Sequence, residues 1–145
     1  MARVLGIDFG ERRIGLALSD PTATIAQPLE TLQRRRGKRP PTAAILERIA
    51  QHDVDRVVLG LPLSLAGDET DWTREVRAFG DTLARRAGLP IEFVDERMTS
   101  VIAERAVRSI GLPRAERERK ERIDAAAAAL ILQAYLDRSG GAGGG

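Results

Sequence analysis

Two apolar, β-prone runs, residues 3–9 and 13–19, are separated only by Gly10-Glu11-Arg12, a spacing that makes the chain begin as an antiparallel hairpin. A third strand is expected over Thr24–Leu32, with Pro28 marking it as a sheet edge, because proline cannot donate to a hydrogen-bond ladder. The three strands read as an antiparallel meander. After Pro40-Pro41, the spacing of Ile45, Leu46 and Ile49 predicts a helix over Ala43–Gln51, followed by a short buried strand, Arg56–Gly60. Asp71–Ala87 reads as a second helix, stopped by Gly88 and Pro90, and Ile91–Asp95 as another buried strand. Helices are expected over Thr99–Ser109 and, rich in alanine, over Ile123–Leu136. A meander followed by alternating helix and strand makes a mixed α/β sheet with helices on its faces. The glycines around Asp8 do not spell GxGxxG, so a dinucleotide-binding sheet is disfavoured.

At 145 residues and 43% hydrophobic content, the chain is expected to form one domain, residues 1–138, with a disordered glycine-rich tail at 139–145. Cysteine is absent, which excludes disulfides, thiolate metal sites and cysteine nucleophiles. The single histidine, His52, weighs against a His-rich zinc site or a Ser-His-Asp triad and reads as a surface residue at a helix end. Any metal must therefore be held by oxygen. No segment approaches the roughly 18 consecutive apolar residues of a membrane span, and no apolar leader opens the chain, so a cytoplasmic protein without a membrane partner is expected.

The formal net charge is only +2, but the cations cluster in Arg34-Arg35-Arg36-Gly37-Lys38-Arg39 and between Arg114 and Arg122, a stretch that includes Lys120. Arginine pairs bidentately with phosphate, so both runs suit a nucleic-acid backbone; a solvated surface is the competing reading.

Asp8 lies within an otherwise apolar strand, between Gly6 and Gly10, where a carboxylate is costly unless a cation or donors satisfy it. A turn-forming role is the plainer alternative. Asp95-Glu96-Arg97 ends the fifth strand, where ligands bind in open α/β sheets, and the residues alone leave open which of the two acids acts. Asp124 is expected in the first turn of the last helix, either as a site residue or as an acid favoured by the helix N-terminus. The alanines after it allow that helix to lie close to the sheet. Three carboxylates from distant parts of the chain could then meet at one edge and clamp two divalent ions for phosphodiester hydrolysis.

Gly6-Ile7-Asp8-Phe9-Gly10 with Arg13-Ile14-Gly15, Gly60-Leu61-Pro62-Leu63 with Gly67, Asp95-Glu96-Arg97-Met98-Thr99-Ser100, and Asp124-Ala125-Ala126-Ala127 to Leu132-Gln133 together resemble the YqgF family, also called RuvX. The resemblance runs from Val4 to about Asp137. It implies an RNase H-like fold: a five-stranded mixed sheet, three strands in a meander plus two parallel, flanked by about four helices. It also implies Asp8, Glu96 and Asp124 as the acidic, metal-binding catalytic set, favouring Glu96 over Asp95, with Mg²⁺ or Mn²⁺, two ions in all. Members are described both as nucleases of the pre-16S rRNA 5′ end and as Holliday junction resolvases. Met98 and Glu11 depart from the commoner family residues without removing a ligand.

Arg12, Arg13 and Arg97 are candidates to hold phosphates near the metals, or else salt-bridge partners, and Arg34, Arg35, Arg36 and Lys120 extend the candidate substrate surface. Thr99 and Ser100 read as helix caps, and Trp72 as a packed residue rather than a base-stacking one. Residues 64–71 read as a polar flap. Three functions follow: a metal-dependent nuclease, with RNA favoured over branched DNA; a non-catalytic nucleic-acid-binding module; and an actin-like ATPase or sugar kinase, which needs two such domains and fails on length. A junction resolvase needs a symmetric dimer, whereas a monomer or weak homodimer suits RNA trimming.

Overall fold

The computed structural model describes residues 3–34, 39–102 and 117–143. Strands β1 (Arg3–Phe9), β2 (Arg13–Ser19) and β3 (Ala26–Gln33) form the expected meander, and β4 (Val54–Leu61) and β5 (Ile91–Asp95) join parallel to β1, giving the order β3-β2-β1-β4-β5. Pro28 lies on the edge strand beside a bulge, where Leu16 pairs with Glu30 and Ala17 with Pro28. The missing N–H therefore costs no interior ladder bond.

Three α-helices are described: α1 (Thr42–Gln51), α2 (Asp71–Ala87) and α3 (Arg117–Gly143). In α2, the Thr70 hydroxyl accepts from the Thr73 N–H and the Thr73 hydroxyl accepts from the Thr70 N–H, a reciprocal cap, while Gly88 closes the other end at φ 67°. The helix expected over Thr99–Ser109 falls mostly outside the described residues.

The last helix departs from expectation at both ends. It starts at Arg117 rather than Ile123 and runs to Gly143 rather than Leu136. Each residue added to an existing helix gains a hydrogen bond without repeating the cost of nucleation, so a docked helix can extend beyond its apolar stretch. The strand expected over Arg56–Gly60 is longer at both ends, running from Val54 to Leu61 as β4.

The sheet separates two cores. Leu5, Ile7, Phe9, Ile14, Leu16, Leu18, Val57 and Leu59 pack on one side with Ile45, Ile49, Val76, Phe79 and Leu83. Trp72 joins this core, with its ring 5.6 Å from that of Phe9, which in turn stacks 4.2 Å from Phe79. The other side packs Val4, Ala17, Val58 and Val94 against Ala127, Ala128, Ile131, Leu132 and Leu136 of α3. Gln133 ties α3 to the β2–β3 turn, accepting from Ala26 N–H at 2.9 Å and donating to Thr24 O at 3.0 Å.

Candidate active site

Asp8 is 5% exposed and shares the α3 side of β1 with Gly6, as strand alternation requires. Its pairing partner on β2 is Gly15. On its other side Ile7 pairs with Leu59, so one residue further Asp8 lies beside Gly60. The buried carboxylate is thus flanked on both neighbouring strands by residues without side chains.

Those two glycines seat the other two acids. A Cβ on Gly15 would stand 2.0 Å from the carbonyl oxygen of Asp124, so α3 rests directly on the β2 backbone there. A Cβ on Gly60 would stand 2.9 Å from Oε1 of Glu96, whose side chain is folded over that strand and is 5% exposed. Asp124, Asp8 and Glu96 therefore form a row across β2, β1 and β4 on the α3 side. Sequence reasoning named the acids but gave the two glycines no role; the available signal was glycine inside strands otherwise built from large apolar residues.

Asp124 lies two turns into α3, not in its first turn, so stabilisation by the helix N-terminus does not account for it. Arg13 Nε donates to Asp124 Oδ2 at 2.6 Å. Among the described residues, no three acidic or histidine side chains close around one point. Ligation of an ion by Asp124 would require its contact with Arg13 to be exchanged.

Asp95 and Glu96 separate cleanly. Asp95 accepts from the Arg97 N–H at 2.9 Å, capping a short 3₁₀ turn (Glu96–Met98), and its carboxyl is held below the usual range by hydrogen bonds from the Arg97 side chain. Asp95 therefore caps and pairs, while Glu96 carries its carboxylate over Gly60. Thr99 closes the turn, its hydroxyl donating to Glu96 O at 2.7 Å and accepting from Val101 N–H at 3.2 Å, as its reading as a cap requires.

The candidate phosphate ligands are placed differently from one another. Arg12 is exposed in the β1–β2 turn. Arg13 holds Asp124. Arg34 lies over the Phe9 ring, 4.7 Å from its centroid, and donates from Nη1 to Gly10 O at 3.3 Å, bracing the turn beside Asp8. Arg97 is bound to Asp95. Arg35 and Arg36 lie outside the described residues, as does the side chain of Lys120, whose backbone is in α3. His52 caps the end of α1, away from the acidic row, and is half-buried. No described helix is long and apolar enough to cross a membrane.

This sheet order, with one helix laid over an acidic row on the central strands, is the RNase H-like architecture. The structure of Thermus thermophilus RuvC in complex with a Holliday junction substrate has the same fold, with a TM-score of 0.57 at 19% identity over 97% of both chains. Residues 2–138 match the model of RuvX, described as Holliday junction resolvase. The chain belongs to the RuvX family. It is 43% identical to a protein of Maridesulfovibrio salexigens named "Putative pre-16S rRNA nuclease", over 94% of this chain and 99% of that one. A Chloroflexus aggregans protein of the same name is 45% identical over 92% of each. The reaction class of such a chain is hydrolysis of phosphodiester bonds.

Proposed function

We propose that this protein is a divalent-metal-dependent nuclease that trims the 5′ end of the 16S rRNA precursor in the cytoplasm, with Asp8, Glu96 and Asp124 holding Mg²⁺ or Mn²⁺. The observation that carries this reading is the row itself: a buried carboxylate flanked by two glycines, each overlain by a second acid. The donors are all carboxylate oxygens, the chemistry that Mg²⁺ and Mn²⁺ prefer, and the missing Cβ atoms leave room for Asp124 and Glu96 to lie against the strands on either side of Asp8. Two bound ions would supply activation of water and stabilisation of the leaving oxygen.

The chain's own residues supply charge and placement. Asp8 and Glu96, both buried, concentrate negative charge that favours a divalent cation. Arg13 balances Asp124, and exchange of that contact would free a guanidinium for a substrate phosphate. Arg12, exposed in the adjoining turn, is available to a second phosphate. The RNA substrate is supported by the names of the relatives at 43–45% identity. A second reading, resolution of Holliday junctions, is favoured by the description of the family and by the likeness to RuvC, and it requires a symmetric dimer.

The deciding assay compares a structured single-stranded RNA carrying the precursor 5′ extension, its DNA equivalent and a four-way DNA junction, each with Mg²⁺ or Mn²⁺. Cleavage of the RNA is expected, with a loss of about 10³-fold or more in Asp8→Asn, retained RNA binding, and no turnover in EDTA. Paired, symmetric cuts in the junction alone select the second reading. Undiminished cleavage in Asp8→Asn or in EDTA overturns the metal-dependent assignment.

A further inference from the structure

Arg97 sits next to a proposed ligand on the exposed surface, yet its guanidinium is engaged by partners within the protein. Nε donates to both oxygens of Asp95 at 3.1 Å, Nη2 donates to Asp95 Oδ2 at 2.7 Å, and Nη1 donates to Leu65 O at 3.3 Å. The guanidinium lies flat against Gly67. A Cβ there would stand 3.0 Å from Nη1, 3.2 Å from Nη2 and 3.3 Å from Cζ, and Gly67 has φ 92°, a conformation that side chains rarely adopt. The turn it covers is internally bonded, with Gly67 N–H donating to Ser64 O at 2.9 Å and Asp68 N–H to Ser64 Oγ at 2.9 Å.

These contacts close a ring of structure. Gly60, which seats Glu96, leads through Leu61 into the 64–68 turn; that turn is clasped by Arg97, and Arg97 directly follows Glu96. Asp95 serves both halves of the clasp, capping the 3₁₀ turn and anchoring the guanidinium. The arrangement uses the flat fork of arginine, which an ammonium group cannot reproduce.

We propose that Arg97 is a positioning residue that locks the 64–68 turn to the segment carrying Glu96 and so holds that carboxylate over Gly60, rather than a ligand of substrate phosphate. The kinetic part rests on the nuclease reading; the structural part does not.

The test uses the full-length protein with Arg97→Ala, Arg97→Lys, Asp95→Asn and Gly67→Ala. Arg97→Ala is expected to lower kcat by about 10- to 100-fold while KM and the salt dependence of RNA binding stay within about twofold, and Arg97→Lys is expected not to rescue. Asp95→Asn and Gly67→Ala should lower kcat in the same direction, and Asp95→Asn combined with Arg97→Ala should lose little beyond the single variants, because both break one clasp. Hydrogen exchange at the Gly67 and Asp68 amides should accelerate by about tenfold or more in Arg97→Ala. A rise in KM, a salt slope reduced by about one and recovery in Arg97→Lys would instead identify a phosphate ligand and overturn the proposal. Unchanged exchange at Gly67 and Asp68 overturns it without reference to any substrate. Faster exchange in a protein whose wild type cuts no nucleic acid would leave the clasp standing and remove the nuclease reading instead.

Discussion

The two faces of the sheet are built from alternate residues of the same strands, yet they differ in size and chemistry. Towards α1 and α2, β1 presents Leu5, Ile7 and Phe9, β2 presents Ile14, Leu16 and Leu18, and β4 presents Val57 and Leu59. Towards α3, the same strands present Gly6, Asp8, Gly15, Ala17 and Gly60. The first face stabilises the fold by filling space, each fully buried Leu or Ile contributing about 1.5–3 kcal/mol. The second leaves bare backbone, on which α3 rests with Asp124 over Gly15, the pairing partner of Asp8. A slip of one residue in register would exchange the two faces, which is why strand pairing here is strongly specified. The difference shows how one short strand can serve stability and chemistry together, with side-chain period 2 keeping the two apart.

Substitution on each face should separate these roles. The largest expected loss of stability comes from the large-residue face: Leu5→Ala should cost about 2–5 kcal/mol in chemical denaturation while the folded fraction retains its cleavage rate. The glycine face should behave in the opposite way. Gly15→Ala drives a methyl group into the Asp124 backbone and should cost about 1–3 kcal/mol along with most of the activity. Gly60→Ala meets Cδ1 of Ile131, which can swing aside, and Oε1 of Glu96, so it should cost under about 1 kcal/mol yet lower cleavage by about tenfold or more. Equal loss of activity and stability in Gly60→Ala would erase the distinction between the faces.

The smallest effect is expected far from both faces, at Asp20. Its carboxylate accepts from the Thr24 and Ile25 N–H groups at 2.7 and 2.8 Å, and these bonds, the one from Ile25 first, hold it well below the usual carboxylate range. A lowered folded-state pKa stabilises the fold at every pH above the unfolded value near 3.9, and that contribution is lost as pH falls through the folded value. The stability gap between wild type and Asp20→Ala should therefore be constant from pH 7 to about 5 and should narrow below about 4, as measured by urea denaturation. A gap that widens on acidification would contradict this sign.

Much of the fold was legible locally. Gly10-Glu11-Arg12 between two apolar runs specified the hairpin, Pro28 the edge, and Gly88 with Pro90 the end of α2, because each acts over a few residues. The start of α3 was less legible, since Arg117–Arg122 is a charge run with no apolar stripe to announce a helix. The candidate acids were visible as a carboxylate in an apolar strand and two further acids beyond it. The roles of Arg13, Arg34 and Arg97 were not, because an exposed-looking arginine carries the same local signal whether its partner is solvent, a phosphate or a carboxylate far away in sequence.

By itself the sequence determined the order of strands and helices, the oxygen-only chemistry open to any metal, and Asp8 as a carboxylate that burial must justify. Only the tertiary structure decided that Gly15 and Gly60 flank that carboxylate, that Asp124 and Glu96 lie over them, and that Arg97 turns away to clasp the 64–68 turn. The reason is physical. Local propensity acts through neighbours a few residues apart, whereas, the Asp8–Gly15 pairing within the hairpin aside, these contacts join residues separated by thirty or more positions, and their geometry exists only once β1 and β4 have paired and α3 has docked on the glycine-bearing face.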